Sequence, residues 1–579
     1  MSSRCILQAI PQLMRRLLLF FGSLILTVSS IQAQSTFLPL DPDIYHWIDR
    51  ADIRTFGLSG RFQSGFRTLS RESINQLMDT LSLKSGLSAS DRFQIRYFRE
   101  VNSEFSIPDS SGLRKPFLNS FFKRKADILS YQDSVFDLHA NIAGYGSMGK
   151  SSGGDGDFLI NSRGVEVRGT IAKKVGFYSY MADNQVILPD YVGDWTARFG
   201  SLPHEGFWKR TGLNGYDFFS ARAYITFNAG KYIAFQAGHD RLQTGYGYRS
   251  MVLSDFSNPY TFLRVSTKIW KVEYTNLFAS LKTDVNALST GIPGNKRIPD
   301  KLFVFHRLGI NIGKRVSLGL FEAVVAGKDP NTSAGGTFPD PSYFNPIIFY
   351  RAIEQNSGSP DNAGLGLDLK VSVSKSIRAY GQFFLDEFLL KKFTEGKGWW
   401  GNKYAVQAGV HYIDVAGIRN LDLQAEFNLA RPFTYSHQSN YSSYSHYGQP
   451  LAHPLGANFR EVLAILRYQP VPRVQASAKL IYFERGLDSS FASKSYGSDV
   501  LKSYYLRAKE SGNFLAQGVL QKVLFLDFTL SWQPWTNFFL DIKHVIRSDE
   551  RFGSISPSPK SGYTSLSVRW NIAQRGYEF

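Results

Sequence analysis

"NLDLQAEFNLARPF", Asn420 to Phe433, sets two chemistries on alternate positions. Leu421, Leu423, Ala425, Phe427 and Leu429 take every second place, and Asp422, Gln424, Glu426 and Asn428 fill the gaps. Successive side chains of a strand point to opposite faces, so this is a strand with one apolar and one polar face. Two environments suit it. In a soluble sandwich the apolar face meets a protein core. In a closed membrane barrel it meets lipid and the polar face lines the bore.

The pattern recurs. Phe136, Leu138, Ala140 and Ile142 alternate with Asp137, His139 and Asn141. So do Leu365 to Val373 with Asp368, Lys370, Ser372 and Ser374. Leu524 to Trp532 and Leu566 to Ile572 repeat it. The connections discriminate between the two environments. Short turns are predicted near Ala172–Lys174, Asn228–Lys231, Thr267–Ile269, Gly313–Arg315, Ser374–Ser376, Asp414–Arg419, Gln469–Arg473 and Gln533–Thr536. Between them lie long connections at 147–156, 184–215, 240–256, 281–301, 327–363, 390–401, 432–454, 485–517 and 548–560. A sandwich has no reason to keep its short connections at one end, and an open sheet this wide would expose its edges. The expected fold is an all-β transmembrane β-barrel of about 18 antiparallel strands with both ends on the short-turn side. The Leu421 face then meets lipid. The lumen-facing rows include the acids Glu166, Glu322, Asp422 and Glu426, the bases Arg168, Lys370 and Arg378, and the amides Gln424 and Asn428. Acids and bases are expected to pair across the bore.

The 579 residues are 43% hydrophobic and 15% aromatic, and the mean hydropathy of −0.20 is too polar for a bundle of membrane helices. Tyr (30), Phe (46) and Gly (50) suit many strands and tight turns. Arg15 and Arg16 precede the apolar run Leu17–Val28, and small Ala33 follows. Charge, short apolar core and small residue make residues 1–33 an expected secretory signal, starting from Met1 or Met14. Residues 34–126 read as a small helical domain with its linker, expected as a periplasmic plug, and residues 127–579 as the barrel. Asp41 and Pro42 open one helix, with Gly57 as its stop; Ser70 opens a second. Ser88 and Asp91 open a third at capping-box spacing, with Asp in place of the preferred Glu.

The one cysteine, Cys5, lies upstream of the cleavage site, so no disulfide is expected after export. Removing Arg4, Arg15 and Arg16 takes the formal charge from +18 to +15. In an exported chain that balance argues against nucleic acid and for membrane lipid with anionic headgroups, or acidic polysaccharide. A barrel of the outer membrane of a Gram-negative bacterium also meets the barrel assembly machinery. Tyr577 and Phe579 are out of phase with Trp570 and Ile572, so either a bulge intervenes or the chain ends in a short tail.

No catalytic or cofactor motif is complete. "GYGSMG", Gly144–Gly149, matches G-x-G-x-x-G, but no helix follows, and it reads as a Gly-rich surface loop. His437, His446 and His453 share a loop without metal-ligand spacing. No cofactor or metal is expected. The loops carry sugar-binding chemistry instead: aromatic faces for ring stacking, planar polar groups for hydroxyls, arginine for acidic sugars. The candidate contacts are Tyr246, Tyr248, Arg249 and Asp255 in one loop, Trp399 and Trp400 in a second, and Tyr435, His437, Tyr441 and Tyr444 in a third.

These loops and their flanks carry a resemblance. "QAGHDRLQTGYGYRSMVLSDFSNPY" resembles the core segment of the Wzi-type capsule assembly family, in which an AG-[HRK]-D stretch leads through a Gly-aromatic-Gly turn to L-S-[DN]. "FNPIIFYRAIEQNSGSPDNAGLGLDLK", "GWWGNKYAVQAG" and "YSHYGQPLAHPLGANF" resemble its gliding-motility RemB-like branch. The resemblance spans most of residues 37–550. It implies an eighteen-stranded outer-membrane barrel, a helical bundle on the periplasmic side and a non-enzymatic lectin for surface polysaccharide, with a gliding link in the second branch. The turn is "GYG" at Gly245–Gly247 where Wzi-like members often have Trp-Gly-Pro, so sugar specificity does not transfer. The expected function is binding or organising surface polysaccharide in capsule or exopolysaccharide assembly. A channel for small polar solutes is the second reading. An enzyme sited at the barrel rim, for which no nucleophile arrangement stands out, is the third.

Overall fold

Along Leu421–Ala430 the polar side chains are enclosed and the apolar ones open: Glu426 is 3% exposed and its neighbour Phe427 is 40% exposed. A protein that hides Asp422, Gln424, Glu426 and Asn428 and displays Leu, Val, Ile and Phe has its polar side inward, as in a barrel immersed in lipid. The computed structural model describes residues 35–56, 64–106, 121–152, 156–212, 214–283, 298–327, 341–345, 361–488, 494–552 and 560–579. The expected signal segment, Gly57, and most of the 281–301 and 327–363 loops lie outside these residues.

Eighteen antiparallel strands close on themselves. The first nine are Phe136–Ser152, Asp157–Ile171, Val175–Ile187, Gly215–Ala229, Ile233–Asp240, Tyr260–Ile269, Val272–Lys282, Asp300–Ile312 and Val316–Gly327. The second nine are Asn362–Ser372, Ile377–Glu387, Lys403–Tyr412, Leu421–Ala430, Phe459–Val471, Val474–Leu487, Val519–Trp535, Phe538–Arg551 and Lys560–Trp570. Each pairs with the next, and the last pairs with the first from Gly562↔Ser152 to Trp570↔Gly144. Short turns and long loops alternate as expected, except that the first connection, predicted at 147–156, is reduced to 153–156. Three turns run later than predicted, at Gly230–Tyr232, Trp270–Lys271 and Thr536–Asn537, because the strands continue through Ala229, Ile269 and Trp535, and the turn predicted at Gln469–Arg473 narrows to Pro472–Arg473. Gly144–Gly149 is strand rather than loop. Ladders on both sides, Gly146↔Val568 and Gly146↔Asn161, satisfy its backbone and outweigh the weak strand preference of glycine.

Below Gly144 the first strand loses its last-strand partner. There a hairpin, Phe121–Arg124 and Asp127–Gln132, takes over the edge, with Leu129↔Ala140. Asn571 Nδ2 donates to the Ile142 carbonyl (2.9 Å) in the gap between the two partners. With its place in the sheet occupied, the chain after Trp570 turns inward. It forms the short tail that the broken aromatic phase had left as one option.

Three helices fill the short-turn end: α1 (Pro42–Thr55), α2 (Arg71–Ser82) and α3 (Ala89–Val101). The Asp41 carboxylate caps α1 by accepting from the N–H groups of Asp43 (2.9 Å) and Ile44 (3.3 Å). Ser88 and Asp91 close a full capping box on α3 (2.9 and 2.8 Å), so Asp serves where Glu is commoner. Ile48, Ala51, Ile74, Met78, Ile95 and Phe98 form the core of this bundle. Tyr97 donates to Asn537 Oδ1 (2.7 Å) in a short turn, which fixes the bundle at that end.

Candidate functional site

The loop that carries "TGYGYRS" descends to the middle of the bore. Its N–H groups at Tyr248 and Arg249 donate to the Glu426 carboxylate on the wall, the second at 3.2 Å. Gly245 has φ +93°, and a Cβ there would strike the Gln382 amide; one at Gly247 would meet Gln407 Oε1 at 2.7 Å. The glycines thus let two wall glutamines close on the loop backbone: Gln382 Oε1 accepts from Met251 N–H (2.8 Å), and Gln407 Nε2 donates to the Arg249 carbonyl (2.9 Å). The helical bundle meets the same loop from below. Gly245 N–H donates to the Gly65 carbonyl and Arg67 N–H to the Gln243 carbonyl, both at 2.9 Å. The Arg67 guanidinium reaches the Tyr246 carbonyl (2.7 Å).

The tail is the third piece. From Asn571 it climbs the bore until Phe579 packs against Trp195 and Phe256 of long connections, with ring centroids 5.6 and 5.9 Å apart. Glu578 is ion-paired with Lys479 and accepts from Tyr248 Oη (2.6 Å), while Arg249 donates to its carbonyl (2.6 Å). Burial alone would raise the Glu578 carboxyl, but Lys479 and Arg249 hold it below the usual carboxylate range. Arg575 pairs with Glu205 (3.0 Å) and donates to Asn184 Oδ1 (2.8 Å).

At the short-turn end some wall charges pair with one another, as Arg569 with Asp541 and Arg307 with Asp368 (both 2.6 Å), and others are met by the bundle. Asp422 takes Arg50 (2.5 Å) and His46 (3.0 Å); Arg378 takes Asp49 (2.7 Å) and Asp52 (2.8 Å); Lys370 takes Asp52 (3.1 Å); Arg168 takes Glu104 (2.5 Å). Glu322 pairs with His306 within the wall (3.1 Å), Glu166 accepts from Tyr178 Oη (3.4 Å), and Asn428 and Gln424 join the Glu461 and Glu426 network. The expected cross-bore pairs do not form because the bundle lies between those side chains and supplies partners of its own to Asp422, Arg378, Lys370 and Arg168. Burial would raise Asp49, yet Arg378 and Arg67 hold it well below the ordinary range. Between α1, the tail and the wall lies a cavity of about 300 Å³, lined by Asp41, Arg71, Glu166, Tyr180, Arg222 and Arg241 among others. Burial and neighbouring Asp43 push the Asp41 carboxyl up to about 6.

The long-loop end is closed by rings. Tyr435 and Tyr444, 1% and 2% exposed, lie 5.6 Å apart and pack on Phe384. Tyr435 Oη donates to the Met251 carbonyl (2.7 Å), tying two long loops together. Tyr246 and Tyr441 are also buried, Tyr248 and Asp255 half-buried. His437 is buried beside Tyr504, and desolvation followed by Lys403 lowers its pKa to about 3. The arginine Arg507, which the sequence did not single out, stacks on Trp400 (4.4 Å), with Tyr504 on the same ring (5.0 Å) and Trp399 beside it (5.8 Å). Trp399 and Trp400 are half-buried, and neighbouring Tyr505 is open at 66%. Of the sequence candidates, then, the structure gathers Trp399 and Trp400 near the surface and draws Tyr246, Arg249, Tyr435 and Tyr444 into the interior. Among the described residues, no His, Cys, Asp or Glu group is arranged to hold a metal ion, and no helix is long and apolar enough to cross a membrane.

No family model and no curated protein sequence matches this chain. Among solved structures it is similar to Wzi of Escherichia coli, an outer-membrane protein involved in group 1 capsule assembly and described as a carbohydrate-binding β-barrel. That match has a TM-score of 0.56 at 13% identity, over 93% of this chain and 100% of Wzi. OprE (OccK8) of Pseudomonas aeruginosa matches at a TM-score of 0.40 and 11% identity, over 75% of this chain and 97% of its own. OprD of the same organism gives 0.40 and 11%, over 76% and 94%. At such identities the likeness to Wzi is a likeness of fold: a closed antiparallel barrel of eighteen strands that carries a few N-terminal helices.

Proposed function

We propose that this chain is an outer-membrane barrel that binds surface polysaccharide at its long-loop end and so serves capsule or exopolysaccharide assembly. The observation that carries the reading is the filled bore. Bundle, inward loop and tail are bonded to one another at mid-height through Gly65, Arg67, Gly245, Tyr248 and Glu578. A diffusion channel needs a continuous water path; a stationary binder needs a rigid platform for its loops. The platform here presents Trp399, Trp400, Tyr505 and Arg507, two indole faces with a phenol and a guanidinium, which suit sugar rings and acidic substituents. Tyr246, Arg249, Tyr435 and Tyr444 hold the loops in place from below. The helical bundle then faces the periplasm and the long loops the cell surface, and the protein acts without catalysis. The likeness of fold to Wzi and the loop motifs support this reading, and the RemB-like motifs extend it to a gliding role, tested by the motility of a deletion strain.

The deciding experiment is binding of the detergent-purified protein to the host's own extracted surface polysaccharide, with a neutral glucan as control. Saturable, selective binding that falls at least about fivefold in Trp399→Ala/Trp400→Ala is expected, since stacked rings contribute about 0.5–1.5 kcal/mol each beyond their burial. Binding unchanged in that variant removes the loop assignment. No binding together with steady conductance in planar bilayers moves the function to a channel.

A further inference from the structure

The short-turn rim has a chemistry that the bore and the loops do not explain. Seven of the eight short turns carry lysine or arginine, among them Lys173, Lys231, Lys314, Lys375 and Arg419, all exposed; Thr536–Asn537 carries none. The one carboxylate in those turns, Asp414, is taken by Arg50 (2.8 Å) and Arg54 (2.7 Å) of α1. The rim is thus positive at seven of its eight turns; open acid is confined to the sector of the first and last strands, where Asp133 lies exposed in the hairpin turn and Glu100 accepts from Thr536 (3.0 Å). The long-loop end differs: connection 485–517 mixes Asp488, Asp499 and Glu510 with Lys502, Arg507 and Lys509.

The height of these cations is fixed by their neighbours. Trp270, Trp535 and Tyr232 are exposed at 75%, 60% and 49% and stand in or beside the same turns. The Lys271 ammonium lies 4.8 Å from the Trp270 ring and that of Lys231 5.5 Å from Tyr232. Exposed Trp and Tyr at the rim of a membrane barrel mark the boundary between hydrocarbon and headgroups, so lysines beside them lie at the depth of lipid phosphates. Anionic headgroups attract such cations, and the attraction adds over a cluster.

We propose that the short-turn rim is a collar for the phosphate headgroups of anionic phospholipids in the leaflet it faces. The collar gathers phosphatidylglycerol-type lipid around the barrel. It is independent of the ligand taken by the long loops.

The test is native mass spectrometry of the full protein from mixed micelles holding phosphatidylglycerol and phosphatidylcholine of identical chains in equal amounts. The expected result is about fivefold or greater retention of phosphatidylglycerol at low salt, shrinking as ionic strength rises. Lys173→Gln, Lys174→Gln, Lys231→Gln, Lys314→Gln, Lys375→Gln and Arg419→Gln combined should abolish the preference. The matched long-loop set Lys150→Gln, Lys209→Gln, Arg210→Gln, Lys391→Gln, Lys397→Gln and Lys509→Gln should keep it, with heat-modifiable gel migration confirming both barrels folded. Equal retention of the two lipids, a preference that survives the rim substitutions, or equal loss in both sets overturns the proposal. So does displacement of the lipid by millimolar inorganic phosphate, which marks a phosphate site instead. Should the six-fold rim variant fail to fold, Lys314→Gln with Lys375→Gln must lower the preference in part, and no change there counts against the collar equally.

Discussion

At the short-turn end, α1 meets the wall through Arg50, Asp49 and Asp52 against Asp422, Arg378 and Lys370. At the long-loop end, Tyr435 and Tyr444 meet it through Phe384 and Phe303. Both closures lie inside the same polar bore, yet one is made of charges and the other of rings. Charge pairs are directional, so the bundle can seat in one register only: each wall charge names its partner. Ring packing tolerates small shifts, which suits the ligand-binding role proposed for these loops. The difference also sets what damages each end. An ion pair fails when one partner is lost and the other stays buried; a ring cluster fails by forming a cavity.

The largest expected effect is therefore Arg378→Met. It leaves Asp49 and Asp52 facing a hydrocarbon, with Arg67 and Lys370 as their remaining partners. Breaking one side of a buried pair costs about 3–5 kcal/mol. Limited proteolysis across a urea series should release the bundle well before the barrel unfolds. If Arg378→Met holds the bundle as firmly as the unsubstituted protein, the charged seating is not what fixes that end.

Glu578→Gln asks whether the tail belongs to the plug or to the cap. It removes the charge that answers Lys479 and Tyr248, a loss of about 1.5–3 kcal/mol for a charged hydrogen bond. In a Cys5→Ser background, an Ala573→Cys reporter on the tail should be alkylated about ten- to a hundredfold faster in Glu578→Gln. Bundle proteolysis should not change, because the tail's strong contacts are with the wall, the inward loop and the cap. Coupled release of the bundle would merge the two ends into one unit.

How much of this was legible follows the same division. The eighteen strands, the inverted polarity and the three capped helices rest on signals within a few residues: period-two alternation, turn spacing, Asp41 or Ser88 ahead of an apolar stripe. The charge partners could not be read, because Asp49 and Arg378 are far apart in the chain and any of several bases would serve until the helices are placed. The burial of Tyr435 and Tyr444 was equally non-local: a tyrosine-rich loop looks the same whether it covers a mouth or fills it. Arg507 carried no sequence signal beyond its charge, and only the fold brings it to Trp400. The glycines of "GYGSMG" misled for a related reason, since the two strands that make it a ladder lie in other parts of the chain. The tail was half legible, its phase break announcing that Tyr577 and Phe579 leave the last strand but not where they go.

Acid should also separate the ends. His204, His437, His446 and His453 of the long connections all have pKa values pushed down by burial, His437 and His446 to about 3. A depressed histidine contributes stability in full above its unfolded value of about 6.5 and loses it as pH falls below that, because the unfolded chain takes the proton more readily. Each costs up to about 1.4 kcal/mol per pH unit below 6.5. The bundle has one such group, His46, and Asp41 works against it. With its folded pKa raised to about 6, Asp41 destabilises above that value and ceases to do so as pH falls from 6 towards 4. Asp49, held low, is lost only below about 4. Between pH 7.5 and 5.5 the loops should become protease-sensitive while the bundle keeps its protection. Simultaneous exposure of both would mean that the mid-bore bonds at Gly245 and Arg67 transmit the loss.

Ser88→Ala should be the mildest change, and it isolates the bundle from the pairing around it. The Ser88 hydroxyl accepts from Asp91 N–H (2.9 Å) and also donates to Asn420 Oδ1 (2.8 Å) in a short turn. Losing an N-cap costs about 0.5–2 kcal/mol. Arg50 still holds Asp91 (3.1 Å), Asp414 and Asp422, so the bundle should stay seated while α3 frays at its start. Hydrogen exchange should speed up over the first turn of α3 and leave α1 unchanged. Acceleration across α1 as well would place the seating of the bundle in the cap and its Asn420 bond, and the charges of Arg50 and Arg378 would then follow from that placement rather than cause it.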